Sequence, residues 1–139
     1  MSVETRNVAI LKQAYENWLA SRGKSVSEWI DLCDANIAFG SLANGTAVQA
    51  NYLTGYSSRD ALTEYFAGIE RDWEMLAYNA QDYIAQGDRV VVLLQCEWRN
   101  RRTGKVVATP KADIWRLNDG KAVEYYEFYD TAQVHAAVA

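Results

Sequence analysis

Asp113, Glu127 and Asp130 are the residues best equipped for acid–base chemistry, and they fall in one stretch, DIWRLNDGKAVEYYEFYD, crowded with tyrosine and tryptophan. A carboxyl group among aromatic rings has two chemical uses. Ionised, it abstracts a proton or orients water; kept neutral by apolar surroundings, it donates a hydrogen bond. The stretch reads as a β-hairpin. A three-residue loop on Asn118-Asp119-Gly120, with Gly120 supplying the positive φ, pairs Leu117 with Lys121 and sets Asp113 opposite Tyr125. Alternation then collects Asp113, Trp115, Val123, Tyr125, Glu127 and Tyr129 on one face. The other face takes Ile114, Arg116, Glu124, Tyr126, Phe128 and Asp130. A two-residue loop on Asp119-Gly120 would instead group Asp113 with Tyr126 and Asp130. With the three-residue loop, an aromatic-walled face holds two acids, which is an odd core and a natural pocket.

The remaining chemistry-bearing residues narrow the field. A zinc or iron site needs several imidazole, thiolate and carboxylate ligands converging, and the one histidine, His135, lies in the C-terminal tail. No GxxxxGK[ST] or GxGxxG phosphate cradle occurs. The expectation is therefore chemistry without metal or cofactor. Cys33 and Cys96 are far apart and unpatterned, so they read as free thiols of a reducing compartment, with the cytoplasm as default. Cys96 reads as a small inward-facing residue rather than a nucleophile, since no activating base accompanies it.

The net charge of -4 speaks against a nucleic-acid partner, which would need a basic face. Arg99, Arg101, Arg102 and Lys105 do cluster, but around a turn at Thr103-Gly104, where a solvated hairpin tip is favoured over an anion site. No run approaches the roughly 18 apolar residues of a membrane span, and the first dozen residues do not resemble a signal peptide. With 139 residues, 23% charged and 50% hydrophobic, a single globular domain over 1–139 is expected. Nine tyrosines and five tryptophans favour a lined cavity, a buried interface, or both.

The elements that position these residues follow from periodicity. Val3 to Arg22 reads as an amphipathic helix, with Val8, Leu11, Tyr15, Trp18 and Leu19 along one face and Gly23 ending it. Ser25-Val26-Ser27-Glu28 is a capping-box sequence opening a short second helix with Trp29, Ile30 and Leu32. Ile37 to Leu42 reads as a strand. The polar segment Ala43 to Ser57 reads as a long loop of the kind that often covers a site. Ser57 suits the cap of a third helix to about Glu74, with Leu62, Tyr65, Phe66, Ile69 and Trp73 inward. Strands at about 76–85, 89–99, 105–117 and 121–129 follow, separated by Gly87-Asp88, Thr103-Gly104 and Asn118-Asp119-Gly120. Pro110 implies a bulge or an edge, and Thr131 to Val138 a short helix. Helices followed by antiparallel strands give an α+β domain, a curved antiparallel sheet packed on N-terminal helices as a cone with a pocket. Aromatics on both faces of the last hairpin also suggest a homodimer formed through the sheet.

LKQAYENWL in the first helix, TGYSSRDALTEYF entering the third, GDRVVVL, and WRLNDGKAVEYYEFYD at the end resemble, in order and spacing, the nuclear transport factor 2-like superfamily. Its members include SnoaL-like polyketide cyclases, steroid Δ-isomerases and limonene-epoxide hydrolases. The resemblance covers nearly the whole chain and implies the cone-shaped fold, while the fold hosts many activities. Against the steroid isomerases, Tyr15 and Asp113 match the tyrosine and neutral aspartic acid of the oxyanion hole, but the general base falls on Gly40. Against the epoxide hydrolases, an Arg-x-Asp pair falls on Leu94 and Cys96, and the remaining acid on Glu127. Both of those activities are thereby disfavoured. Asp130 resembles the acid/base aspartate of SnoaL-type cyclases, although strand parity puts it on the opposite face.

Together these observations suggest a SnoaL-like protein acting by proton transfer beside a carbonyl on a small apolar or aromatic molecule. Tyr15 and Asp113 would stabilise an oxyanion, Glu127 would act as base or shuttle, and Asp130 would stand in reserve. Trp18, Phe39, Cys96 and Trp98 would line the ligand cavity with Trp115, Tyr125 and Tyr129. The structural alternatives are an Asp113 bonded to backbone at a bulge after Pro110, and a Glu127 salt-bridged to a cation such as Lys111. A non-catalytic binder of hydrophobic ligands or a dimeric interaction domain would use the same fold.

Overall fold

The computed structural model describes residues 1–41 and 58–139. Helix α1 (Val3–Ala20) opens on Ser2, whose hydroxyl accepts from the Thr5 amide at 3.0 Å, the usual service of a serine N-cap. Asn7, Leu11, Ala14, Tyr15 and Trp18 are buried along it. Leu19, expected on the same face, is 45% exposed, because it lies ~100° around the helix from Trp18, off the centre of the stripe. Arg22 and Gly23 take positive φ, and the Gly23 amide returns to the Trp18 carbonyl at 2.9 Å, closing the helix.

Helix α2 (Val26–Leu32) begins after Ser25, but the capping box does not form. Glu28 instead accepts from the Asn17 side-chain amide at 2.7 and 2.8 Å, so a contact between helices replaces the local one. Strand β1 (Cys33–Ser41) starts four residues before the expected Ile37. Leu42, the segment 43–57 read as a loop, and Ser57 lie outside the described residues. Helix α3 (Arg59–Asp72) is capped by Ser58, which accepts from the Ala61 amide at 3.3 Å. It ends before Trp73, because Trp73 and Glu74 pair with Asn100 and Arg99 and so belong to the sheet.

Strands β2 (Trp73–Gln86), β3 (Arg89–Asn100), β4 (Val106–Asn118) and β5 (Lys121–Tyr129) form an antiparallel meander. The sheet order is β1-β5-β4-β3-β2, with β1 added parallel to β5, so the sheet is mixed at that one edge. Helix α4 (Thr131–Val138) follows β5. Irregular pairings at Met75/Ala77 and Ala80/Asp82 interrupt the β2–β3 ladder, and such bulges bend a sheet. Helix α1 packs on β2 and β3, α3 on β1 and β2, and α4 on β4. The result is the expected α+β cone. Among the described residues, no helix is long and apolar enough to cross a membrane.

The β4–β5 hairpin departs from the expected register. Asn118 pairs with Lys121, and Asp119 and Gly120 both take positive φ (50° and 78°), the signature of a two-residue Asp-Gly turn. A register shift then falls between Arg116 and Leu117, leaving Val123 unpaired between Ala122 and Glu124. Asp113 therefore faces Glu127, and Trp115 faces Tyr125. The shorter loop moves the register by one residue and the bulge by another, so the two shifts add to an even number. Asp113, Trp115, Tyr125, Glu127 and Tyr129 stay on one face, as expected. Val123 is displaced from the core side by the fully buried Ala122.

Pro110 makes no bulge: the β3–β4 pairing runs unbroken from Arg89–Arg116 to Arg99–Val106. On its other side β5 ends opposite Lys111, so Pro110 stands past the end of that ladder. The basic residues at the β3–β4 turn secure neighbouring elements. Arg99 pairs with Glu74 at 2.7 Å, while Arg102 and Lys105 donate to the Val138 and Ala136 carbonyls at the end of α4, where cations suit the exposed carbonyls.

Candidate functional site

The inner sheet face, α1, α2 and α3 line a cavity of about 130 Å³. Its walls include all seven expected ligand-binding residues: Trp18, Phe39, Cys96 and Trp98, with Trp115, Tyr125 and Tyr129. Tyr15, Asp113 and Glu127 also line it. The rings pack edge-on and stacked: Trp29 lies parallel to Trp115 at 5.4 Å, and Tyr15 meets Trp29 edge-on at 5.1 Å, geometries that aromatic quadrupoles favour.

At one end of this apolar chamber sits a buried polar cluster. Asp113 and Glu127 are 1% and 2% exposed. The Lys111 ammonium lies between them, 3.2 Å from Asp113 Oδ1 and 3.3 Å from Glu127 Oε1. It also donates to the Tyr125 hydroxyl at 3.1 Å, so three protein oxygens surround the ammonium. The Tyr125 hydroxyl in turn lies 3.0 Å from Asp113 Oδ1 and 2.9 Å from Glu127 Oε1. One phenolic proton thus serves two carboxyl groups. Tyr15 accepts from the Trp115 indole N–H at 2.9 Å and donates to Asp113 Oδ2 through a short hydrogen bond. Glu127 further accepts from Tyr65 at 3.2 Å and Ser41 at 2.9 Å.

Charge counting explains the electrostatics. A single ammonium can neutralise only one of two buried carboxylates. Burial raises the Asp113 pKa above the ordinary aspartate range; the charge of Glu127 adds to this, and Lys111 with the Tyr15 and Tyr125 hydrogen bonds only partly offsets it. Burial would lower the Lys111 pKa, but Asp113 foremost, then Tyr125, Tyr78 and Glu127, hold it well above its usual value. Lys111 is therefore a fixed cation, not a free amine nucleophile. Burial likewise pushes Tyr15, Tyr65, Tyr78 and Tyr125 well above the usual phenol range, and Tyr129 to about 12. These phenols are donors at neutral pH. The Cys96 thiol is raised to about 11, mainly by burial, and is protonated there too.

Asp130 stands apart from the cavity. It caps α4, accepting from the Gln133 amide at 3.0 Å and side chain at 2.8 Å; these bonds lower its pKa. Asp-Thr-Ala-Gln is a helix-start sequence, and that signal outweighs its position beside β5. Gly40 pairs with Tyr126, whereas its neighbours Phe39 and Ser41 pair with Tyr125 and Glu127, so the inward positions of β1 bring no carboxyl group. Lys111, Tyr65, Ser41 and Tyr78 are the members of the site that sequence reasoning missed as functional residues. For Lys111 the signal was present: it lies two residues before Asp113, hence on the same strand face. Among the described residues, no group of three or more histidines, cysteines and acids is placed to hold a metal.

Removing Lys111 leaves two buried carboxyl groups with no cation. Lys111→Met is expected to lower stability by about 3–5 kcal/mol at neutral pH. The deficit should shrink as pH falls, because protonating the carboxyl groups removes their need for a partner. Urea unfolding across pH checks this; a deficit that is constant with pH would contradict the charge count.

The SnoaL-like domain family matches residues 12–125. No curated protein matches the chain. Among solved structures, a nuclear transport factor 2-like protein of unknown function from Burkholderia pseudomallei K96243 superposes with a TM-score of 0.82 at 16% identity, over 100% of this chain and 99% of that one. A protein from Jannaschia sp. CCS1, provisionally assigned as a SnoaL-like polyketide cyclase, gives 0.78 at 17% identity, covering 99% and 94%. TerC, co-crystallised with polyporic acid, gives 0.78 at 17% identity, covering 96% and 98%. At these identities the structures speak for the fold, which is that of nuclear transport factor 2-like proteins, and the domain match speaks for the family: the chain belongs to the SnoaL-like family.

Proposed function

We propose that this protein catalyses proton transfer at a carbon next to a carbonyl group of a small apolar or aromatic molecule, without a cofactor. The observation that carries the proposal is the Trp115–Tyr15–Asp113 chain at the polar end of an aromatic cavity, with Glu127 on the same wall. With its raised pKa, Asp113 is the carboxyl group suited to hold a proton. A neutral Asp113 donates to the Tyr15 oxygen, and the Tyr15 proton then turns to the substrate carbonyl. Glu127 takes the α-proton as the C–H bond breaks, and the electron pair moves onto the carbonyl oxygen. Tyr15 stabilises that enolate while Trp115 and Asp113 support it from behind. Return of the proton from Glu127 to another carbon completes an isomerisation. In a cyclisation the enolate carbon instead bonds to a second carbonyl carbon of the same molecule, whose oxygen takes the proton. In a dehydration the enolate expels a β-hydroxyl, which takes the proton and leaves as water. The provisional cyclase name of one structural neighbour is in keeping with this class.

A second reading, a non-catalytic binder of hydrophobic molecules, has one observation in its favour. Glu127 accepts hydrogen bonds from Ser41, Tyr65 and Tyr125 and faces Lys111, a set of donors that also suits a structural carboxylate. Free buried thiols suit the cytoplasm as the working compartment. We further propose a homodimer through the outer sheet face, where Tyr126 and Phe128 are 36% and 40% exposed with ring centroids 5.0 Å apart.

Deuterium exchange at C2 of indan-1-one in D2O, followed by proton NMR, separates enzyme from binder. The wild type should accelerate the exchange, Glu127→Gln should slow it by about 10²–10⁴-fold, and Asp130→Asn should leave it unchanged. Binding of indan-1-one with exchange at the buffer rate would support the binder instead. For the dimer, light scattering at micromolar concentration should give twice the chain mass, and a monomer mass would remove that proposal.

A further inference from the structure

Of the phenols that line the cavity, Tyr15, Tyr65, Tyr125 and Tyr129 each have a partner within the polar cluster. Tyr78 differs. Its side chain is only 5% exposed and lines the cavity, yet its hydroxyl has no hydrogen-bond partner among the described residues. The hydroxyl is not among the sealed-off unpaired polar atoms, so it opens onto the cavity, where a bound molecule can accept its hydrogen bond. The ring itself is fixed. It stacks on Tyr15 at 6.1 Å and 21°, meets Trp98 edge-on at 6.3 Å, and lies 5.9 Å from the Lys111 ammonium. Stacked on Tyr15 and beside the Lys111 ammonium, the Tyr78 ring flanks the polar end of the cavity together with Tyr15.

The same cluster limits what these phenols can receive. With Asp113 protonated, the one ammonium between the two acids already balances Glu127, so an anionic group would bring a buried negative charge with no cation left to pair it. The Lys111 ammonium already has three protein oxygens within 3.3 Å, so its charge is committed before any ligand arrives. The walls are flat rings, and the space is about 130 Å³, suited to one or two fused rings.

We propose that Tyr78 is a substrate-binding residue, whose hydroxyl donates to an oxygen of a neutral, planar ring ketone lodged between the aromatic walls. This rests on the carbonyl chemistry proposed for the site and adds to it a second donor and a charge class of substrate. Tyr78 selects for the oxygen; it does not move a proton.

The test compares indan-1-one with indane, which has the same rings and no carbonyl, by quenching of tryptophan fluorescence. Tyr78→Phe keeps the ring and its stacking. It should weaken indan-1-one binding by about three- to tenfold and leave indane within about twofold. Its melting temperature should equal or exceed that of the wild type, because no internal hydrogen bond is lost. In the wild type, the ¹³Cζ resonance of Tyr78 should move on adding indan-1-one and stay put on adding indane. This second readout requires no variant to fold. If indan-1-one binds Tyr78→Phe as tightly as wild type, or its Cζ resonance ignores the carbonyl, the assignment is overturned. Loss of affinity in Tyr78→Phe without C2 exchange in the wild type would keep Tyr78 as a ligand donor and defeat the catalytic reading. C2 exchange with unchanged affinity in Tyr78→Phe would do the reverse.

Discussion

One ammonium held between two buried carboxyl groups is the constraint on which the site depends. Lys111 reaches both Asp113 and Glu127, and the Tyr125 hydroxyl joins the same two groups. Such a cluster is costly to bury, and its members tolerate one another only while every lone pair and proton is assigned. The surplus of one negative charge is accommodated by a carboxyl group that keeps its proton to higher pH. In the proposed reaction, function and electrostatics therefore meet at Asp113, whose proton would decide whether the Tyr15 hydroxyl points to Asp113 or into the cavity.

The fold meets this constraint with a two-residue repeat on adjacent strands. Lys111, Asp113 and Trp115 alternate inward on β4, Tyr125, Glu127 and Tyr129 on β5, and Phe39 and Ser41 on β1. The parallel pairing of β1 with β5 brings Ser41 opposite Glu127. Helix α1 lays Tyr15 across the open side, and α3 brings Tyr65. Each strand thus contributes two or three consecutive inward residues, and the cluster forms where those runs adjoin.

Much of this could be read from the sequence, and the gaps have identifiable causes. The helices and strands followed from periodicity, and the inward face of the last hairpin survived a wrong loop length because two single-residue shifts added to an even number. Where the bulge at Val123 falls depends on seating Ala122 against Leu117, a tertiary matter that no local pattern shows. Lys111 was named only as a salt-bridge partner for Glu127, a pairing the structure does show; because Pro110 suggested a break in the strand, the repeat was not carried back past Asp113 to place Lys111 in the site. Asp130 had its own local signal in Gln133 three residues on, which identifies a helix cap. The parallel pairing of β1 with β5 was invisible to local reasoning, although the strand itself was expected, since a distant strand choosing its neighbour leaves no mark on either sequence.

The carboxyl ¹³C shift of Asp113, followed across pH in labelled protein, bears most directly on the charge count. Its midpoint should lie above the aspartate value of about 3.9, while that of Asp130 should lie below it. Because the folded state then binds the proton more tightly than the unfolded chain, the contribution of Asp113 to stability should fall as pH rises through that interval. An Asp113 midpoint at or below the ordinary value would mean that Lys111 and the phenols outweigh burial. The neutral carboxyl group behind Tyr15 would then not exist at neutral pH.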